Sequence, residues 1–362
     1  MPRKTVTIEF PAAGIVRRWG VAADRRVSPY PAAYATNVRL EDSLTNRLRG
    51  GSFTGIAAGV KASPVYRDRA LTMDGNAVGV SRQGDHADFA LSADISDTMR
   101  PSLLQLSQAD EVGGDVVALV PHKDASLLCF TSGETWVQVG DPTTGAMRNV
   151  SREVGIIGAS AWCKDHDTVY FLSSRGLYSV GADGSGLAAV SEDKIPEDLT
   201  GVVDSACVLD YQHSDRGVYI TRSSGVSWFY DTARQGFWPY TLTSTDSHVL
   251  LGPFLLGERY ARGRVLNLHG VIAAGSDDVA WRLVKGDTAE EAADNGKAAI
   301  LASLAATSYA SYVSAEGNWS AGRAHRAYPR TSAIWCCLWL HSAGDWAFEE
   351  IIMTSTLSGF WR

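Results

Sequence analysis

The sequence predicts a mainly β protein: a β-propeller with an N-terminal extended arm and a C-terminal β-rich, sandwich- or platform-like domain. Three observations predict it. A strand-turn-strand sentence recurs through the middle of the chain. The copies lie about 40 to 55 residues apart, the spacing of four-stranded propeller blades. Gly is abundant at 35 residues beside 11 Trp and 13 Tyr, a mix that suits many turns joining aromatic-bearing strands.

The clearest copy is residues 162–181, WCKDHDTVYFLSSRGLYSVG. Residues 168–172 (TVYFL) are β-branched and aromatic, residues 173–176 (SSRG) punctuate, and residues 177–180 resume a strand. A similar sentence occupies 126–140 (SLLCFTSGETWVQVG) and 217–231 (GVYITRSSGVSWFYD), with a looser version at 271–286 (VIAAGSDDVAWRLVKG). One blade cannot bury both faces, so several must close on one another. A β-sandwich with similar hairpins is the alternative.

At 362 residues and 45% hydrophobic, the chain is long enough for two or three domains with a sizeable core. The net charge of −7 is uneven: residues 1–70 hold 12 Lys/Arg against 5 Asp/Glu, and the remainder carries −14. A basic segment ahead of an acidic body can serve nucleic acid, dock on the acidic surface of a neighbouring subunit, or stay a solvated arm. The five cysteines, Cys129, Cys163, Cys207, Cys336 and Cys337, have no framework spacing and read as small buried hydrophobes in a reducing compartment. With no signal-like apolar segment and no run approaching 18 apolar residues, neither secretion nor membrane insertion is expected.

In order, residues 1–60 read as the arm. Residues 5–10 alternate like a strand, Pro11, Pro29 and Pro31 interrupt any regular element beyond it, and such a terminus is ordered only along another surface. Residues 61–245 form the propeller-like domain. Its early part offers a strand at 76–81, a turn at 82–85 and a short helix at 103–110. Residues 246–362 form the C-terminal domain. Residues 265–274 alternate around His269, 287–293 read as one helical turn with Asp287 as N-cap, and the Ala-rich 297–306 suits helix or strand. Residues 334–341 (IWCCLWLH) and 346–354 (WAFEEIIMT) pair as a hairpin across a Ser-Ala-Gly-Asp turn.

Catalytic constellations are thin. No Gly-x-Gly-x-x-Gly follows a strand, residues 50–55 lack the Lys-Ser/Thr of a phosphate loop, and neither a nucleophile elbow nor His-Glu-x-x-His occurs. Cys163 with Asp165 and His166, and Cys336-Cys337 near His341, mix metal-ligand types. Strand geometry sends Cys336 and Cys337 to opposite faces, and neither group has a second Cys-x-x-Cys half, so both read as structural. Residues 132–136 (SGETW) resemble the Asp-box turn of sialidase propellers without its Asp and central Gly; such a turn braces a blade. No enzymatic activity, cofactor or metal is therefore expected. Two rival functions remain: a receptor- or glycan-binding propeller presenting Trp136, Trp228 and Trp238 in a groove, and a cell-wall glycosidase, which needs two carboxylates facing across a sugar.

Residues 37–52 (NVRLEDSLTNRLRGGS), 81–88 (SRQGDHAD), 141–145 (DPTTG), 154–162 (VGIIGASAW), 168–178 and 236–242 (GFWPYTL) give the chain a family likeness. In their order and spacing it resembles the tail-nozzle, or tail tubular protein B-like, virion proteins of short-tailed bacteriophages. That resemblance implies a propeller beside β-rich platform segments. It further implies a homo-oligomeric ring, typically a hexamer, located in the virion tail and made in the host cytoplasm. The ring would extend the channel below the portal and adaptor and pass DNA through its lumen without sequence-specific binding. The chain is shorter than the larger nozzles. Within this reading Arg17, Arg18, Arg25, Arg26, Arg47 and Arg49 are candidate subunit-interface residues, because a guanidinium forks a carboxylate bidentately. The acidic remainder would suit a channel wall that repels phosphates.

Overall fold

The computed structural model describes residues 3–8, 10, 34–40, 47–51, 61, 64–108, 111–145, 147–241, 244, 246–256, 261–320 and 325–360. Strand makes up 51% and helix 7%, so the protein is mainly β, built from several antiparallel sheets; among the described residues no closed propeller is detected. The chain divides into two compact units, Ile56–Gly225 and the pair Met1–Gly55 with Val226–Arg362. The sequence suggests cuts near 60 and 245 instead. The N-terminal strands belong with the C-terminal residues because they hydrogen-bond into the same sheets.

In the middle unit the recurring sentences become sheets. The first has four strands, Val116–His122, Ser126–Thr131, Thr135–Val139 and Met147–Ser151, in chain order. The second repeats the plan with Trp162–Asp165, Thr168–Ser173, Gly176–Gly181 and Ala188–Ala189. The hairpin Val208–Gln212 with Gly217–Thr221 comes next. Ser126–Thr131 is buried along its whole length, so alternate side chains serve two cores. Leu127 and Cys129 join Trp136, Tyr66, Val78 and Leu104 in one cluster. Phe130, on the other face, packs on Phe171 of the second sheet at 4.7 Å between ring centres. Burying each such side chain contributes about 1.5–3 kcal/mol.

The helix expected at 103–110 is not formed over the described residues 103–108. Ser102–Gln105 is a strand on Ala77–Val80, in a three-stranded sheet completed by Leu71–Asp74, and Ser107–Gln108 begins a separate two-stranded ladder. Leu104 and Leu106 are both buried, a period of two that a strand satisfies and a helix does not.

The terminal unit consists of two larger sheets, a hairpin and a helix. The five-stranded sheet runs Tyr34–Thr36, Ser247–Leu255, Trp335–Ser342, Val279–Gly286, Val313–Trp319. The seven-stranded sheet centres on Ala261–Ile272 and Trp346–Phe360. Val38–Leu40, Leu48–Gly50, His325–Ala327, Arg3–Thr7 and Ser332–Ala333 complete it. Two expected hairpins are absent as a result. Residues 334–341 and 346–354 lie in different sheets, as do the two halves of 271–286, since in each case the chain changes sheet instead of folding back. The hairpin Ser227–Asp231 with Gly236–Tyr240 does form.

The helix, Ala289–Leu304, is longer than the single turn expected and settles the Ala-rich stretch as helical. Its buried residues, Ala292, Ala293, Gly296, Ala299 and Ile300, make a narrow small-residue stripe against Leu250, Cys337 and Trp339 of the five-stranded sheet. A Cβ at Gly296 would collide with Leu250, so the close approach requires glycine. Thr288, not Asp287, is the N-cap: its hydroxyl accepts from the Glu291 amide at 3.0 Å, while the Glu291 carboxylate accepts from the Asp287 amide. Thr288→Ala is therefore expected to cost about 1 kcal/mol in urea unfolding. Asp287→Ala should cost only a few tenths, since the Asp287 carboxylate makes just an exposed 3.8 Å pairing with Arg262.

Candidate functional site

Three chain crossings between the two large sheets form a corner whose polar groups hydrogen-bond to one another and to the sheets. The chain steps from Tyr34–Thr36 to Val38–Leu40 through Asn37, from Ile272 to Val279 through Ser276 and Asp277, and from Ser342 to Trp346 through Gly344 and Asp345. Strands that switch sheets make such corners, and their turning backbone needs hydrogen-bond partners.

Asn37 supplies most of them. It is fully buried with φ of 50°, a left-handed conformation that Asn tolerates better than most residues. Its side-chain oxygen accepts from the Thr241 amide at 2.7 Å. Its Nδ2 donates to the carbonyls of Asp246 at 2.7 Å and Ser244 at 3.1 Å and to the Thr241 hydroxyl at 3.0 Å. The main chain adds Asn37 N–H to Pro239 O and Gly51 N–H to Asn37 O, each at 3.1 Å. Gly50 and Gly51 lie so close to the Trp346 indole and to Asp345 that no Cβ fits at either.

The second and third crossings interlock: Asp277 N–H donates to Asp345 O at 2.8 Å, and Asp345 N–H to the Asp277 carboxylate at 3.0 Å. Ser247 ties the corner to the five-stranded sheet, its hydroxyl accepting from Trp346 Nε1 at 2.6 Å and donating to Ser342 O at 3.1 Å.

Beyond Ser247 the same sheet carries a stacked polar row. His248 and His341 face each other across paired strands at 4.4 Å, and Trp339 Nε1 donates to His248 Nδ1 at 3.2 Å. Arg282 lies over Trp339 at 4.3 Å and over Tyr309 at 4.7 Å, donates to the Tyr309 hydroxyl and pairs with Glu316 at 3.3 Å. Asp246 stands 3.8 Å from His341 Nε2. Burial, then the neighbouring His341 and Arg282, push the pKa of His248 down to about 3. Burial and Arg282 lower that of His341 against the opposing pull of Asp246. A histidine so depressed is neutral at pH 7, and since the Trp339 N–H occupies its Nδ1 lone pair, its one proton is on Nε2. This row ties paired strands together.

Of the interface arginines, Arg17, Arg18, Arg25 and Arg26 lie outside the described residues. Arg47 pairs with Glu349 of its own chain at 2.8 Å, and Arg49 sits opposite Arg39 on adjacent strands, with Arg39 stacked 5.3 Å from the Phe229 ring centre. In the sequence Asn37 stands out only as the start of a motif; the one signal of its role is an Asn between two very short strand segments.

The metal-like groupings separate. All five thiols are buried and free, and burial raises the pKa of each, that of Cys336 and of Cys207 to about 12, so thiolate ligation is disfavoured. Among the described residues no group of three or more His, Cys, Asp or Glu could hold a metal ion. Trp136, Trp228 and Trp238 are no more than 1% exposed and cannot stack on a sugar. In residues 132–136, Glu134 accepts from Trp136 Nε1 at 2.9 Å, and the Thr135 hydroxyl donates to Val154 O at 2.7 Å, so the turn is an internal brace. A cleft of about 220 Å³, lined by Arg262, Lys285, Asp287, Glu291, Asn295 and Tyr312 among others, is smaller than ordinary ligand pockets.

No protein-family model matches the chain, and no curated protein matches it. Solved structures with some similarity include the CNH domain of AfRom2, at 12% identity and TM-score 0.29 over 54% of this chain and 62% of that one. Others are the tricorn protease, at 14% and 0.26 over 56% and 21%, and an exo-β-1,3-galactanase from Phanerochaete chrysosporium, at 8% and 0.24 over 85% and 100%. The chain thus spans less than two thirds of the first two. At these TM-scores the likenesses carry no argument.

The His248 site makes the fold acid-sensitive. In the unfolded chain His248 binds a proton at its ordinary 6.5, whereas the folded site binds one only near 3. Its contribution is fully present above pH 6.5. It falls by about 1.4 kcal/mol per pH unit as pH drops through that window. His248→Asn should flatten the slope of unfolding free energy against pH between 6.5 and 4.5, measured by urea unfolding at each pH.

Proposed function

We propose that this protein is a structural component of a bacteriophage tail, a nozzle or tube protein that forms a ring-shaped conduit and carries out no reaction chemistry. The observation that carries the reading is the meeting of two segments almost 200 residues apart in sequence. Residues 37–52 and 236–242, which bear the family likeness, come together through Asn37, Pro239, Thr241 and Gly51. Motifs that build one corner have a reason to occur together in that order, which supports reading them as one fold's signature. The repeating sheets of the middle unit are read as propeller blades, since successive members pack through Phe130 on Phe171 and through the Ser126 hydroxyl on Ala182 O. The burial of Trp136, Trp228 and Trp238 argues against the glycan-groove alternative.

Light scattering of the purified protein, alone and mixed with the portal–adaptor complex of its phage, tests the reading. A mass near six times 38.9 kDa, or a ring appearing on the adaptor, is expected. A lasting 38.9 kDa monomer that ignores the adaptor would contradict it and favour a peripheral binding protein.

A further inference from the structure

Residues 81–101 join two directly paired strands, Ala77–Val80 and Ser102–Gln105. A two-residue turn suffices for such a connection, and loops beyond about 12–15 residues without secondary structure are usually functional or disordered. This loop is held in one shape. The guanidinium of Arg69, a fully buried residue, donates to four carbonyls, those of Ser81 and Arg100 at 3.0 and 2.7 Å and of Met99 and Thr98 at 3.2 and 2.8 Å. Arg82 pairs with Asp97 at 2.9 Å, and Gln83 N–H reaches Met99 O at 3.1 Å. Asp85, Asp88, Asp94 and Asp97 each accept from the backbone amide two residues on.

A loop tied by so many hydrogen bonds nevertheless turns large apolar side chains to solvent. Leu91 is 65% exposed, Ile95 81% and Met99 45%, with Leu103 on the following strand 44%. An ordered, pre-shaped apolar surface loses little entropy on docking and is what a protein contact uses. The loop's charge is acidic, four Asp against Arg82 and Arg100, while residues 1–60 of the same chain hold nine Lys/Arg against four Asp/Glu, or +5.

We propose that loop 81–101 is a docking surface for a second copy of this chain, its Leu91 and Ile95 covered and its aspartates met by the basic N-terminal region of that copy. Two different complementary surfaces on one chain give head-to-tail contacts, which generate rings when the rotation closes. The inference rests on the ring reading above and names the surface that makes the contact.

The test uses the full chain with Leu91→Asp and Ile95→Asp together, both exposed positions, with thermal unfolding as the folding control. Wild type should assemble and weaken as salt rises to about 0.5 M, while the double variant should remain at 38.9 kDa. A double variant that assembles like wild type overturns the proposal and leaves the ring reading standing; a wild type that never assembles, alone or on the adaptor, overturns both. Should the double variant misfold, Ile95→Cys keeps the question open to measurement, because all five native thiols are buried. Maleimide labelling of the introduced thiol should slow at least tenfold on assembly. An unchanged rate, or protection by the adaptor while copies stay apart, overturns the proposal.

Discussion

The terminal unit depends on a single buried amide. Asn37 turns the chain between sheets at a backbone angle few side chains tolerate, and it satisfies the main chain of residues 241, 244 and 246. Those backbone groups lie between the Gly236–Tyr240 strand and Ser247–Leu255, where neither sheet provides ladder partners. Asn37 itself is fully buried, and leaving its amide unpaired there would cost about 1–3 kcal/mol. The corner is thereby fixed, and with it the register of the N-terminal strands on both sheets.

From that corner the other contacts extend in sequence. Glycine at 50 and 51 lets its strand lie against Trp346 and Asp345; Trp346 reaches Ser247; Ser247 leads to the His248–His341 stack; and Trp339 links that stack to the helix-covered core. The polar groups along this path donate to or accept from other chain segments, and the two histidines are held neutral by burial. The corner's hydrogen bonds hold the sheet-crossing segments against one another.

Much of the fold was legible in the sequence. The strands at 126–131, 168–173 and 217–221 arise from β-branched and aromatic runs bounded by Ser/Gly turns, because local pattern decides a hairpin. What could not be read was non-local. The runs at 334–341 and 346–354 look like a hairpin, yet they pair with the distant strands Ser247–Leu255 and Ala261–Ile272, and only tertiary packing chooses between these outcomes. Residues 103–110 pass for a short helix until the burial of Leu104 and Leu106 is known. The helix cap fell on Thr288 and not Asp287 because Glu291 is placed to accept from the residue before the cap. The Asn37 site was legible only as a motif, since its partners lie some 200 residues away.

The most direct test of the corner is the unfolding free energy of Asn37→Ala and Asn37→Gly beside wild type, by urea titration at pH 7. Both variants lose the amide's hydrogen bonds, while only Ala is strained at a φ of 50°. Losses of about 2–4 kcal/mol are expected, with Ala the worse by about 1 kcal/mol. Values within about 0.5 kcal/mol of wild type for both, the range of ordinary surface substitutions, would show that Asn37 does not hold the corner.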